Sequence, residues 1–415
     1  MSSKFNYQCN DCGREIPGHG IVYLCEDCAV RQKEGQPPAG VLKVIYNPSL
    51  LRGLTFRKLE ANRFIDLLPF NDTGSLPFLR TGNTPMYRIS GREAAIGGHE
   101  LFIKDDSQNP TFSFKDRASA VVSAFAKEQG ISTIVAASTG NAGSSLAGIC
   151  AAQGQKAVIF APASAPAAKL TQILMYGAIL VPVDGNYDNA FDLSIEATKH
   201  FGWYNRNTAY NPLTIEGKKT AAFEIYSQLG HRLPDRVFVP VGDGVILSGI
   251  YKGFEDLLKS GITGGMPEIV AVQAAGSSNL IDNLGKKAFI CTPSSTLADS
   301  ISVDIPRNFR MAEKYLLQYK GKALKVSDQQ ILEASRQLSA QTGLFAEPAA
   351  AAAFAGYLLA NAKGLTGKGT INVVLLTGSG LKDLKPVQPL LNIPEAVKPD
   401  IHSVTSFLKD KTGLV

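Results

Sequence analysis

No apolar run in this chain approaches the roughly 20 residues that a membrane-spanning helix requires. The opening MSSKFNYQCNDC has no apolar stretch of the kind a secretory signal needs, so the protein is expected to be cytoplasmic with no membrane partner. Blocks of lysine or arginine are missing too. The formal charge of +6 is spread over 415 residues, which gives no reason to expect a nucleic-acid partner. There is no internal repeat at a solenoid period and no low-complexity tract longer than the five alanines at 349–353, which are read as close packing within a helix. Cysteine is scarce. Of the six, Cys150 and Cys291 stand alone in apolar surroundings and are read as small core residues.

Ordinary globular composition remains, with 45% hydrophobic and 19% charged residues, and it predicts a compact fold. The length exceeds what one hydrophobic core usually serves, so two principal domains and a small accessory module are expected.

The four grouped cysteines supply the accessory module. Cys9 and Cys12, then Cys25 and Cys28, have the spacing of two metal-binding knuckles, each turning two thiolates toward one ion. Four soft sulfur ligands suit Zn²⁺ and close its coordination sphere, so a metal here would be structural and would help fold a segment otherwise too small to be stable. Two disulfides or idle thiols are the other reading, which a reducing compartment disfavours.

After a Pro/Gly-bearing linker at 35–40, the chain reads as strand-then-helix units. Short apolar strands are predicted at 132–137, 156–161, 179–183, 236–241, 268–273 and 371–376. Helices are predicted at 142–153, 165–176, 189–200 and 248–259, and over long stretches within 327–363. Continuously apolar strands between helices imply parallel sheets buried on both faces, with ligands bound beyond the carboxyl ends of the strands. Three of those ends carry unusual loops: Ser138, Thr139, Gly140 and Asn141; Gly242, Asp243 and Gly244; and Thr377, Gly378, Ser379 and Gly380. Glycine-rich turns into helices expose backbone N–H groups at the positive end of a dipole, and several together suggest a ligand with more than one anionic group.

In the segment 109–117 (NPTFSFKDR), Lys115 follows two aromatic residues and starts a helix of small apolar residues. Desolvation and a helix N-terminus both favour the neutral, nucleophilic amine. On the residues alone, Lys115 is equally well read as a catalytic amine or as half of a buried ion pair with Asp116 or another carboxylate.

The string PTFSFKDR resembles the PTGSFKDR motif of threonine synthases and their relatives among the fold type II pyridoxal-phosphate (PLP) enzymes. Also similar, and in the family's order, are GNTPMYR at 82–88, ASTGN at 137–141, PVGDG at 240–244, FAEPAAA at 345–351 and LTGSGLKD at 376–383; the cysteine-rich start occurs in some members as well. The resemblance implies an α/β fold of two domains, each with a mostly parallel twisted sheet flanked by helices, plus the zinc-ribbon-like module. Residues 1–40 would be the module and linker, 41–125 and 215–415 the large PLP domain, and 126–214 a small mobile αβ domain. It implies that Lys115 carries the cofactor as a Schiff base and shuttles the substrate's α-proton. Asn141 would donate to the pyridine 3′-oxygen and Thr377 would face the pyridine nitrogen. Gly242, Asp243, Gly244, Val245 and Ile246 would cradle the phosphate, and Ser138, Thr139 and Gly140 would hold the substrate carboxylate. A homodimer is the family's usual arrangement.

Two positions depart from the family. Its phosphate loop usually reads GNAGN, so Asp243 places a carboxylate near a phosphate; its side chain should turn away or be countered nearby. In 211–220 (NPLTIEGKKT) the family's NPxRxEGxKT has an arginine that helps hold the phosphate of O-phosphohomoserine, and this chain has Thr214. Threonine cannot imitate a bidentate, permanently charged clamp; Arg206, Lys218, Lys219 and Arg307 are the candidate substitutes. The expected reaction is conversion of O-phosphohomoserine and water to threonine and phosphate. Thr214 keeps open a β-elimination or β-replacement enzyme acting on another amino acid: a threonine or serine dehydratase, a diaminopropionate ammonia-lyase or a cysteate synthase. A non-catalytic relative would be expected to lose Lys115 or Asn141, and both are present.

Overall fold

A computed structural model describes residues 3–89 and 98–412. Among the described residues thirteen strands fall into three sheets. In chain order, β1 (Phe5–Cys9), β2 (Glu15–Pro17) and β3 (Leu42–Tyr46) form a small antiparallel sheet with β1 in the middle. Strands β4 (Met86–Ile89) and β5 (Glu100–Asp105) begin the largest sheet. Strands β6 (Thr133–Ala137), β7 (Lys156–Pro162), β8 (Ile179–Val183) and β9 (Tyr204–Asn205) form a second sheet. Strands β10 (Arg236–Pro240), β11 (Glu268–Ala274), β12 (Lys322–Val326) and β13 (Ile371–Leu376) then return to the first.

The six-stranded sheet has the order β12-β11-β10-β13-β5-β4 and is parallel except where β4 runs against β5. The four-stranded sheet, β8-β7-β6-β9, is wholly parallel. Every residue of β13 is buried, as is every residue of β10 after its first, so these two strands read in the sequence as unbroken apolar runs. Helices Asp328–Thr342 and Pro348–Ala362 cover one face of the large sheet, and all five alanines of 349–353 are buried there. Gly356 of the second helix sits against Val272, where a Cβ would collide with the valine side chain.

Local chemistry sets the helix ends. Asn186 with Asn189 and Ser327 with Gln330 form capping boxes ahead of helices Tyr187–Phe201 and Asp328–Thr342. Gly202 and Gly343 close the same helices in the left-handed conformation. Among the described residues no helix is long and apolar enough to cross a membrane.

The antiparallel sheet extends past residue 40, because β3 pairs with β1 from Phe5↔Tyr46 to Cys9↔Leu42. This unit touches both larger sheets' neighbourhoods. The Tyr23 hydroxyl accepts the Asn205 N–H at 2.8 Å beside β9, and Lys314 Nζ donates to the Asn10 carbonyl at 2.5 Å from helix Phe309–Gln318. Cys150 is fully buried as expected. Cys291 is exposed and not a core residue: it lies in an irregular stretch between two short helical segments, where the apolar neighbours in sequence do not fold over it.

Candidate active site

The loops at the carboxyl ends of β10 and β13 meet the starts of helices Lys115–Glu128 and Asn141–Gln153 around one pocket. Lys115, Asn141, Thr208, Gly242, Asp243, Gly244, Val245, Ile246, Ser300, Glu347 and Thr377 all line it. Of the residues singled out in the sequence, Ser138, Thr139 and Gly140 do not line it in this conformation. They form the turn leading to Asn141, where the Gly140 N–H donates to Ser138 Oγ at 3.2 Å.

Lys115 is held by the backbone around it. Phe114 N–H donates to the Thr377 carbonyl at 2.8 Å, and Ser113 bridges to Gly378, so the lysine loop is fastened to the end of β13. Asp116, the suspected ion-pair partner, is occupied elsewhere: its two oxygens accept the Thr111 N–H at 2.7 Å and the Thr111 hydroxyl at 2.5 Å. Among the described residues the Lys115 ammonium has no hydrogen-bond or ion-pair partner. Burial lowers its pKa, and the nearby Arg206 charge lowers it further against the opposing pull of Asp243. The ion pair with Asp116 is not formed, and Asp243 and Glu347 act on the ammonium only through their charges.

Phe112 occupies the position at which the resembling motif has glycine, and its φ is +68°. A left-handed backbone is what glycine accepts freely, so the motif's glycine has a conformational reason that this chain overrides with an aromatic side chain.

The 242–246 loop contains Gly244 at φ +83°, the N-cap of helix Val245–Lys259, and no side chain caps that helix. The first N–H groups of a 15-residue helix are thus left for an anion. Asp243 is anchored rather than aimed at those amides, its Oδ1 accepting the Arg307 backbone N–H at 3.1 Å. Its charge is also countered by Lys115 and Lys218.

Glu347 was not assigned a role from the sequence. Pro348 at the first helical position makes Glu347 the N-cap of helix Pro348–Ala362, where a side chain usually serves the helix's own amides. Here it does not. Both Glu347 oxygens instead accept from Asn141 Nδ2, at 3.0 and 3.1 Å, and the residue is 2% exposed. The signal in FAEPAAA was a glutamate directly before a helix-starting proline. Burial pushes its pKa up to about 7, with Asn141 and Lys115 opposing. A carboxyl raised above its ordinary 4.5 contributes stability that is fully present below that value and is lost as pH rises through about 7. Glu347→Gln is accordingly expected to match the parent at pH 4 and to exceed it at pH 8, by up to about 3 kcal/mol. Thermal unfolding of the cofactor-free proteins at the two pH values checks this; an equal difference at both would refute it.

The Sγ atoms of Cys9, Cys12, Cys25 and Cys28 lie within 4.8 Å of one another, and no disulfide joins them. The 3.9 Å between the sulfurs of Cys12 and Cys25 is close to the roughly 3.8 Å edge of a tetrahedron with metal–sulfur bonds of about 2.3 Å. The group can hold a metal, far from the pocket in sequence and chemistry.

Comparison with known proteins agrees with the geometry. The family model described as pyridoxal-phosphate dependent enzyme matches residues 78–378. The threonine synthase of Methanocaldococcus jannaschii is 33% identical over 413 residues, covering 97% of this chain and 99% of the relative. That of a Synechocystis strain is 36% identical over 345 residues, covering 82% and 88%. Among solved structures, maize serine racemase aligns with a TM-score of 0.64 at 19% identity, over 86% of this chain and 97% of the other. The processed form of threonine deaminase isoform 2 from Solanum lycopersicum aligns at 0.62 and 20%, over 80% and 84%; these two show the shared fold.

Proposed function

The chain belongs to the pyridoxal-phosphate dependent enzymes, and we propose that it converts O-phosphohomoserine and water to threonine and phosphate. The observation that carries the reading is a desolvated, partnerless Lys115 beside an uncapped helix N-terminus, in a chain similar to threonine synthases over nearly its whole length.

The residues present fit the cofactor. Lys115 has a free ε-amine for the aldehyde carbon, residues 242–246 have open amides for a phosphate, and Asn141 and Thr377 flank the space between. Bound pyridoxal phosphate supplies an electron sink for negative charge developing on carbon next to the amino group. In this reading the Lys115 amine, whose charged form desolvation disfavours, takes and returns the proton at the substrate's α-carbon. Glu347 fixes the Asn141 amide and, with a pKa near neutrality, can exchange a proton with a ligand close by. Ser138, Thr139 and Gly140 would hold the substrate carboxylate, and a closing movement of 126–214, the segment bearing the smaller sheet, would bring them to the pocket. Across the whole reaction, the phosphate C–O bond at the γ-carbon breaks and water adds at the β-carbon.

The cofactor-loaded protein given O-phosphohomoserine should release phosphate and threonine in equal amounts. Release of a keto acid from serine or threonine, with phosphohomoserine untouched, would reject this reading for a dehydratase.

The thiolates of Cys9, Cys12, Cys25 and Cys28 hold structural Zn²⁺ in this reading, supported by their mutual distances. Metal analysis should find one zinc per chain. Cys25→Ser should lose it and lower the Tm, since Cys9, Cys25 and Cys28 belong to the same core as β1 and β3. A zinc-free parent with an unchanged Tm would disprove it.

A further inference from the structure

Thr214 is wholly buried and cannot serve an anion, because its hydroxyl is engaged by the Asn211 carbonyl at 2.8 Å. Of the four cations considered as substitutes for the missing arginine, two are committed elsewhere. Lys219 is ion-paired with Glu216 and with Asp256 at 2.7 Å, and Arg307 is paired with Asp188 at 2.5 Å with its guanidinium 3.8 Å from the Phe191 ring centre.

The other two are buried without a counter-ion. Arg206 directly follows β9 and is 0% exposed; its Nε donates to Ser119 Oγ at 3.2 Å and its Nη1 to Thr208 Oγ1 at 3.3 Å, while Nη2 has no partner among the described residues. Ser119 is one helical turn beyond Lys115, and Thr208 lines the pocket, so the guanidinium stands directly behind the pocket wall. Lys218, also 0% exposed, makes a single hydrogen bond, from Nζ to the Thr214 carbonyl at 3.3 Å. One turn along the same helix, its ammonium thus folds back to the point from which the family's arginine would extend. Lys218 faces Arg206, Lys115 and Asp243; Arg206 also has Tyr187, Asp116 and Cys150 in its surroundings. Neither forms an ion pair among the described residues, and Asp243, with its Oδ1 held by the Arg307 N–H, is the one carboxylate facing both Lys115 and Lys218.

Burying unpaired cations is costly, and a fold has no reason to keep two side by side unless an anion visits them. We propose that Arg206 and Lys218 form the subsite for the phosphoryl group of the substrate, replacing the arginine whose position is taken by Thr214. An incoming phosphate oxygen takes the place of Thr208 Oγ1 as the acceptor from Arg206 and satisfies the orphaned Nη2, with Lys218 as the second donor. The inference rests on the reading of the substrate as a phosphate ester, and it names how that ester is recognised. The cofactor also carries a phosphate, so the experiment must separate the two.

The cofactor-loaded parent, Arg206→Gln, Lys218→Met and Arg206→Lys are compared in phosphate-free buffer. Inorganic phosphate binding is followed by calorimetry, KM and kcat are measured with O-phosphohomoserine, and cofactor affinity is followed by the visible band. Arg206→Gln and Lys218→Met should each weaken inorganic phosphate and raise KM by roughly 10-fold or more, the loss expected for a charged hydrogen bond, with kcat little changed. Arg206→Lys should recover part of the loss. Cofactor affinity should hold, and the Tm should stay level or rise, because neither side chain leaves a carboxylate unpaired and each removes a buried charge. Unchanged phosphate affinity and KM would overturn the proposal. So would a lower Tm with unchanged KM, which marks a structural role, or loss of cofactor affinity with unchanged KM, which assigns the pair to the cofactor. If the parent does not turn over O-phosphohomoserine, the proposed function falls. The subsite is then judged by inorganic phosphate: weakened binding in both variants upholds it, and unchanged binding rejects it.

Discussion

Lys115→Ala is expected to fold normally, to lose the borohydride-sensitive visible band of lysine-held cofactor, and to form threonine at least about 10³-fold more slowly than the parent. Normal folding follows from the surroundings. The amine has no partner to orphan, and Asp116 keeps both of its bonds to Thr111 when Lys115 is shortened. The helix that Lys115 begins is anchored by Phe114 to the Thr377 carbonyl, a backbone contact that the substitution leaves alone. Removing an amine whose charged form is disfavoured by desolvation and by Arg206 should cost the fold little. Spectra before and after borohydride, with turnover of O-phosphohomoserine, check the prediction. A band that persists unchanged in the variant would show that another group holds the cofactor.

Arg117→Met should show the opposite pattern, with a large loss of stability and the chemistry failing only as a consequence. The guanidinium donates to Asp106 at 2.5 and 2.9 Å, to Glu224 at 2.6 and 2.7 Å, and to Thr84 at 3.2 Å. These partners join the end of β5, the helix Thr220–Gln228 and the chain ahead of β4 to the helix that Lys115 starts. Methionine fills much of the same space and restores none of the donors. It leaves Asp106 without an ionic partner and Glu224 with Lys104 alone, at 2.6 Å. Breaking a buried pair in this way costs about 3–5 kcal/mol. The denaturation midpoint should fall with an unchanged m-value, and a loss below about 1 kcal/mol would show that the network holds little.

These two variants also separate what was legible from what was not. Strands β8 and β13 are found where the sequence places them, and β6, β7, β10 and β11 differ by a residue or so at an end, because unbroken apolar runs mark strands; all but the edge strand β8, of which only Val183 is buried, are largely covered on both faces. Strand β5 escaped because it runs ELFIKD: Lys104 and Asp105 break its apolar pattern, and it takes the Thr84 carbonyl together with Glu224 and Gln228, more than 100 residues away, to make the lysine tolerable there. Strand β12, KALKV, lies at the sheet edge with its first four residues only partly covered, so it carries no run to read. Cys291 failed for a related reason, since apolar neighbours in sequence do not guarantee a core in space.

The sequence by itself determined the sheet class, the four-cysteine group and the family, along with Lys115 as one of two equally good alternatives. Each of these is written in short-range pattern: strand period, ligand spacing, glycine at a turn. Tertiary structure alone decided that Lys115 is free while Asp116 is satisfied by Thr111, that Glu347 turns from its own helix to Asn141, and that Arg206 and Lys218 are the unpaired cations while Lys219 and Arg307 are engaged. A charge reads the same in sequence whether it is paired or not. Whether it has a partner depends on which distant segments the fold brings within about 3 Å, and at a buried site that partner decides between holding the fold and holding a ligand.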